Sequence, residues 1–126
     1  MVKEIATKGF QSFMDAVQSP EVKNKNIICF FSGDKDESGK SWCPDCVVAE
    51  PVVRECLKSV DDDEIVFVYC AVGARDYWKD RNNDFRTHTL LKLTGVPTLL
   101  KWGSPSQKLV EGQLLKKELI TMLLED

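Results

Sequence analysis

The chain has 126 residues, 43% of them hydrophobic and 29% charged, the make-up of one soluble globular domain spanning 1–126. A net charge of −3 with scattered lysines and arginines argues against a nucleic-acid surface, and the longest apolar run, Ile65–Val72, is far too short to cross a membrane. The N-terminal "MVKEIATKGF" lacks the apolar stretch of a signal peptide, so the expectation is a cytoplasmic protein, and a monomer, whose five cysteines stay thiols unless they are catalytic.

The stretch "VKEIAT" (2–7) alternates weakly and predicts a short edge strand. Phe10, Phe13, Met14 and Val17 stand at i, i+3, i+4 and i+7, a helical face that Pro20 stops. Asn26–Phe31 is apolar along almost its whole length, as a strand buried on both sides must be, and so is Ile65–Val72. Between them Pro44–Val60 carries Val48, Val52, Cys56 and Val60 at every fourth position and predicts a helix, which completes a βαβ unit. Pro97–Trp102 and Gln107–Gly112 predict two strands joined at "GSPS" as a hairpin. A last helix carries Leu115, Leu119, Met122 and Leu123 on one face. The predicted order is β-α-β-α-β, an irregular and helical segment, then β-β-α.

The loop "GDKDESGKS" (Gly33–Ser41) superficially matches a phosphate-binding loop. Five residues rather than four separate its first two glycines, and Asp34, Asp36 and Glu37 would repel phosphate, so a polar surface loop is the better reading. Its significance is that it delivers the chain to "SWCPDCVVAEP" (Ser41–Pro51).

Pro44 suits the first position of a helix, where its missing N–H costs nothing, and this makes Cys43 the N-cap. The Cys43 sulfur can then accept the N–H groups of Asp45 and Cys46, in the positive field of the helix dipole, and both effects favour the thiolate. Cys46 lies one turn in, shielded and close enough to pair with Cys43. Two other readings compete: inert buried cysteines, or one knuckle of a zinc or iron–sulfur site. Zinc needs four ligands, usually from a second closely spaced pair. The single histidine, His88, is in another segment, Cys56 is about 15 Å along the helix from Cys46, and Cys29 and Cys70 fall in the predicted core strands. No metal site is therefore expected, and a C-x-x-C beside a βαβ unit in a cytosolic chain favours a redox dithiol.

Trp42-Cys43-x-x-Cys46 after a buried strand, Pro51 five residues past the second cysteine and "GVPTLLKW" (Gly95–Trp102) together resemble the thioredoxin superfamily over nearly the whole chain. The "WCPDC" itself, the long loop before it and "YWKDRNNDFR" (Tyr77–Arg86) after the third strand are similar to a narrower group, the thioredoxin domain-containing protein 17 family. The resemblance implies an α/β thioredoxin-like fold, a central mixed β-sheet flanked by helices, with a cis peptide bond at Pro97 facing the dithiol. It implies a disulfide reductase with Cys43 as nucleophile and Cys46 as resolving thiol, and a possible minor peroxidase activity. No bound cofactor is implied: electrons come from NADPH through thioredoxin reductase as partner, and the substrates are small or peptide disulfides such as cystine. A signalling partner is also implied.

Trp42, Pro44, Asp45, Val96 and Pro97 are expected to bind substrate or tune the dithiol, with backbone groups of Val96 and Pro97 offered to the substrate. Tyr77, Trp78 and Phe85 either shape the rim or anchor their own loop. Two departures from ordinary thioredoxins stand out: Pro44-Asp45 replaces Gly-Pro between the cysteines, and Cys29 occupies a strand position that often holds an acid. The proton acceptor for Cys46 is thus open, with Asp45 a candidate. A redox-silent adaptor that uses the fold as a docking surface is the competing function.

Overall fold

The computed structural model describes residues 2–125, and for 105 and 106 the backbone alone. Five strands, β1 (Lys3–Lys8), β2 (Asn26–Ser32), β3 (Ile65–Ala71), β4 (Thr98–Lys101) and β5 (Ser104–Val110), form one sheet in the order β1-β3-β2-β4-β5. β1 and β2 flank β3 in parallel, whereas β4 runs antiparallel to β2 and β5 antiparallel to β4. The helices are α1 (Phe10–Val17), α2 (Pro44–Lys58), α3 (Arg75–Lys79), α4 (Asp84–Thr87) and α5 (Lys117–Glu125). The result is the predicted mixed sheet between helices in the predicted element order.

The continuous apolar runs of β2 and β3 are explained by the two layers they serve. Successive side chains point to opposite faces of a strand. Ile27, Cys29, Phe31, Val66, Val68 and Cys70 join the core under α1, while Ile28, Phe30, Ile65, Phe67 and Tyr69 join the core under α2 and α5. β1, at the edge, keeps Lys3 and Lys8 exposed, as an edge strand should.

Four expectations are corrected. The buried side of α2 is Cys46, Ala49, Val53, Cys56 and Leu57, and Val48 is exposed. An every-fourth-residue series drifts around a helix of 3.6 residues per turn, so Val48 to Val60 spirals off the buried face. The last helix likewise buries Ile120, Leu123 and Leu124 and leaves Met122 exposed, while Leu115 falls before it, exposed at the end of a 3₁₀ turn. The hairpin turns at Trp102–Gly103 rather than at "GSPS": Lys101 pairs with Ser104, and Gly103, the second turn residue, takes a positive φ of 89° that favours glycine. β5 ends at Val110, and Glu111–Leu115 forms a 3₁₀ turn instead of continuing the strand.

α2 leaves the end of β2 through the Gly33–Ser41 loop. Most of its buried side chains serve the layer shared with α5, but Cys43 and Cys46 join the α1 layer. The dithiol thus sits at the carboxyl end of the central strand, where open α/β sheets place their sites.

Candidate active site

The loop before the dithiol is ordered by its own acids. The Asp36 carboxylate accepts the Ser38 hydroxyl (2.6 Å) and the N–H groups of Ser38 (2.9 Å) and Lys40 (3.1 Å). The Ser38 hydroxyl, then the Lys40 amide, hold its pKa below the usual carboxylate range. Asp34 ties this loop to the next: its N–H donates to Gly73 O (3.1 Å), and the Gly73 N–H donates to its carboxylate (2.9 Å). The Trp42 indole N–H also donates to Gly73 O at 2.9 Å. Gly33 lies so close beneath that indole that a Cβ there would come within 2.5 Å of the ring. Trp42 is therefore a pinned wall, half-buried beside the dithiol.

Ser41 sets the cysteine in place, with its hydroxyl donating to Gly33 O (2.8 Å) and accepting the Cys43 N–H (3.1 Å). Cys43 is the N-cap of α2, with Pro44 at the first helical position as predicted. Its sulfur accepts the Cys46 N–H at 3.2 Å. The expected second bond from Asp45 does not form. An N-cap side chain reaches one of the second and third N–H groups, and here it reaches the third. The Cys43 thiol lies 3.6 Å from Val96 O, to which it can donate. Cys43 is 5% exposed and Cys46 1%. Burial, then the Cys43 contact, pushes Cys46 up to about 12, while the Gly33 amide and the Ser32 hydroxyl pull it down. Asp45 is exposed on the first turn, so the groups that bear on Cys46 are Ser32, Gly33 and Cys43.

The Val96–Pro97 peptide bond is cis and lies against Cys43. The Pro97 carbonyl already accepts the Glu111 N–H at 2.9 Å, and proline has no N–H, so Val96 is the backbone group that faces the thiol. Trp42, Cys43, Pro44, Trp78 and Val96 border a cleft of about 420 Å³. A larger cavity of about 520 Å³ opens near Val2, Leu57 and Phe67, far along α2 from its first turn; its one guanidinium, Arg54, is occupied by Glu4 and Glu50.

The segment after β3 is anchored rather than loose. Phe85 is fully buried, Trp78 is 6% exposed, and the Arg86 guanidinium stacks 4.0 Å over the Trp78 ring. Trp78 also borders the cleft, whereas Tyr77 is an exposed edge partner of Phe85. Asn83 holds the segment together, donating to the carbonyls of Tyr77, Trp78 and Asp80 and accepting the Arg86 N–H. Sequence reasoning missed Asn83, Ser32 and Ser41. Only Ser41, two residues before a predicted N-cap, had a local signal.

Among the described residues no group of three or more His, Cys, Asp and Glu side chains is arranged to hold a metal ion. Cys29, Cys56 and Cys70 are buried free thiols, and the His88 ring packs on Phe10 and accepts the Leu90 N–H. No helix among the described residues is long and apolar enough to cross a membrane.

Residues 6–126 match the family described as thioredoxin domain-containing protein 17-like, thioredoxin domain. Thioredoxin domain-containing protein 17 of Danio rerio is 55% identical over 121 residues, 96% of this chain and 94% of its own. The proteins of that name from Mus musculus and Homo sapiens are 53% and 52% identical, each over 98% of this chain and 96% of their own length.

Proposed function

This chain belongs to the thioredoxin domain-containing protein 17-like family, and on that premise we propose that it is a thiol–disulfide oxidoreductase that reduces small or peptide disulfides through Cys43 and Cys46. The Cys43 thiolate attacks one sulfur of the substrate. The substrate S–S bond breaks, one half leaves and takes a proton from water, and the other half remains as a mixed disulfide on Cys43. Cys46 then loses its proton and attacks the Cys43 sulfur. The second half leaves as a thiol, and a Cys43–Cys46 disulfide remains. Two electrons have passed to the substrate, and NADPH returns them through thioredoxin reductase in the cytoplasm.

The observation that carries this reading is the inequality of the two thiols. Cys43 receives an N–H at a helix start, and Cys46 is held protonated behind it. That order suits an attacking thiol and a resolving thiol. The Gly33–Ser41 loop and the α3–α4 segment, joined through Gly73, stand beside the site and favour small disulfides over folded clients.

The test is NADPH consumption with thioredoxin reductase, the protein and either cystine or insulin as final acceptor. Rapid consumption with cystine and slow consumption with insulin is expected. No consumption with either acceptor, or equal consumption by a Cys43→Ser variant, overturns the reading.

A further inference from the structure

Cleft and dithiol together explain a sulfur nucleophile and an aromatic wall, but not two charges on the same cleft. At about 420 Å³ the cleft falls within the roughly 300–1,000 Å³ usual for small-molecule sites. Arg75, in the first turn of α3, and Glu111, just past β5, both line it with Cys43. Nearby charges are satisfied: Lys35 pairs with Glu50, Asp34 and Asp36 accept backbone N–H groups, and Arg86 donates to Trp78 O. The Arg75 and Glu111 side chains make no hydrogen bond or ion pair among the described residues.

Glu111 is also held in an uncommon way. Its φ is 51°, a region that residues with side chains seldom adopt and that recurs at functional sites. Its N–H is spent on Pro97 O, and its carboxylate lies over Gly95, where a Cβ would come within 2.7 Å of Oε1. Backbone and glycine together bring a carboxylate to the Val96 side of the cleft.

We propose that Arg75 and Glu111 determine the specificity of this cleft, selecting disulfides whose sulfur-bearing half carries both an α-carboxylate and an α-ammonium. The proposal rests on the disulfide-reductase reading above. The Arg75 guanidinium takes the carboxylate in its fork, and the Glu111 carboxylate takes the ammonium. Both substrate charges sit on the carbon two bonds from sulfur, so holding them orients that sulfur at Cys43. A cysteine within a peptide has neither charge on that carbon, so the pair favours the free amino-acid disulfide over a peptide disulfide.

Four acceptors separate the two contacts: cystine, cystamine without carboxylates, 3,3′-dithiodipropionate without ammonium groups, and neutral bis(2-hydroxyethyl) disulfide. With saturating thioredoxin reductase and NADPH, kcat/KM is measured for wild type, Arg75→Gln and Glu111→Gln. The ratio of cystine to hydroxyethyl disulfide should fall about tenfold in each variant, the loss of one charge-assisted contact, mainly through KM. Arg75→Gln should lower cystine relative to cystamine, and Glu111→Gln should lower it relative to dithiodipropionate. Arg75→Lys and Glu111→Asp, which keep the charges, should restore part of each ratio. If neither ratio moves more than about twofold while hydroxyethyl disulfide is still reduced, the specificity pair is refuted and the reductase reading stands. If wild type reduces none of the four, the reductase reading fails and the pair with it.

Discussion

Cys43 and Cys46, in the first turn of α2, are nearly as buried as Cys29 and Cys70, in β2 and β3, yet the two regions treat sulfur differently. The helix start leaves backbone N–H groups without carbonyl partners, and one of them points at the Cys43 sulfur. A central strand has none to spare. Cys29 pairs across the sheet with Val68 on one side and Leu100 on the other, so its backbone is consumed by the ladders. Cys70 lies against the carbonyls of Gly9 and Ala71, which oppose a negative sulfur. Burial pushes Cys29 up strongly and Cys70 up to about 12. What distinguishes Cys43 from Cys29 and Cys70 is an unspent N–H donor at its sulfur, since all three are almost equally buried.

The sharpest way to break that contrast is to exchange the sulfurs one at a time. Cys43→Ser is expected to lose about 10³-fold or more in disulfide reduction, because it removes the nucleophile. Cys46→Ser should accumulate a mixed disulfide on Cys43, visible by intact mass. Cys70→Ala should keep its turnover and lose about 1 kcal/mol of stability through a small cavity. Iodoacetamide below neutral pH, read by peptide mass, should label Cys43 before Cys29, Cys56 or Cys70. Equal labelling of Cys43 and Cys70 would refute the donor argument.

A second prediction concerns the loop that brings the helix start to its place. Ser41 and Gly33 support Cys43 and Trp42 directly, so a useful deletion spares them and replaces only Lys35–Lys40 with a short turn. If the loop restricts clients, insulin reduction should rise by about tenfold, on the scale of a removed steric or charge clash. Cystine reduction and redox potential should be kept. Unaltered client range at unaltered potential would assign selectivity to potential alone.

The two regions also differ in how far the sequence revealed them. The core strands were readable because burial on both faces leaves an uninterrupted apolar run, and the start of α2 was readable because Pro44 and a capping residue are local signals. The buried side of α2 was misread because valines at every fourth position look like a face while drifting off one. The site walls were mostly invisible. Trp42 meets Gly73 from 31 positions away, Asp34 meets it from 39, and such long-range pairings leave no periodic trace. Glu111 read as part of a strand, since nothing in "LVEG" announces a left-handed backbone.

A third prediction uses alkaline pH. Cys46 and Cys70 are both pushed up to about 12 by burial, whereas a thiol in the unfolded chain titrates near about 8.5. Below that value both states are protonated and the contribution to stability is complete. Between there and about 12 the unfolded chain releases protons that the folded chain keeps, so stability falls as pH rises. Urea midpoints at several pH values above 8.5 should therefore decline. Cys70→Ala should flatten the decline, and adding Cys46→Ser should flatten it further. A decline equal in all three proteins would mean that these thiols do not drive it.

The smallest effect bears on what the two regions share. A hydroxyl favours the thiolate at one thiol in each: Ser32 at Cys46, and Thr7 at Cys70. Only at Cys46 is ionisation part of the proposed chemistry, since the resolving thiol must lose its proton before it attacks Cys43. Ser32 is fully buried at the end of β2, and Ser32→Ala nearly preserves volume. The Ser32 hydroxyl donates to Gly33 O at 3.3 Å, and losing its pull on Cys46, on the scale of one hydrogen bond of about 0.5–1.5 kcal/mol, should slow the resolving step roughly 2- to 10-fold. An aromatic disulfide that releases a coloured thiol at each step reports the two attacks as separate phases. In Ser32→Ala the second phase should slow more than the first. In Thr7→Val the two phases should keep their ratio, because Cys70 takes no part in either. If Ser32→Ala slows both phases equally, Ser32 only supports the fold; if it slows neither, Cys46 is deprotonated without it.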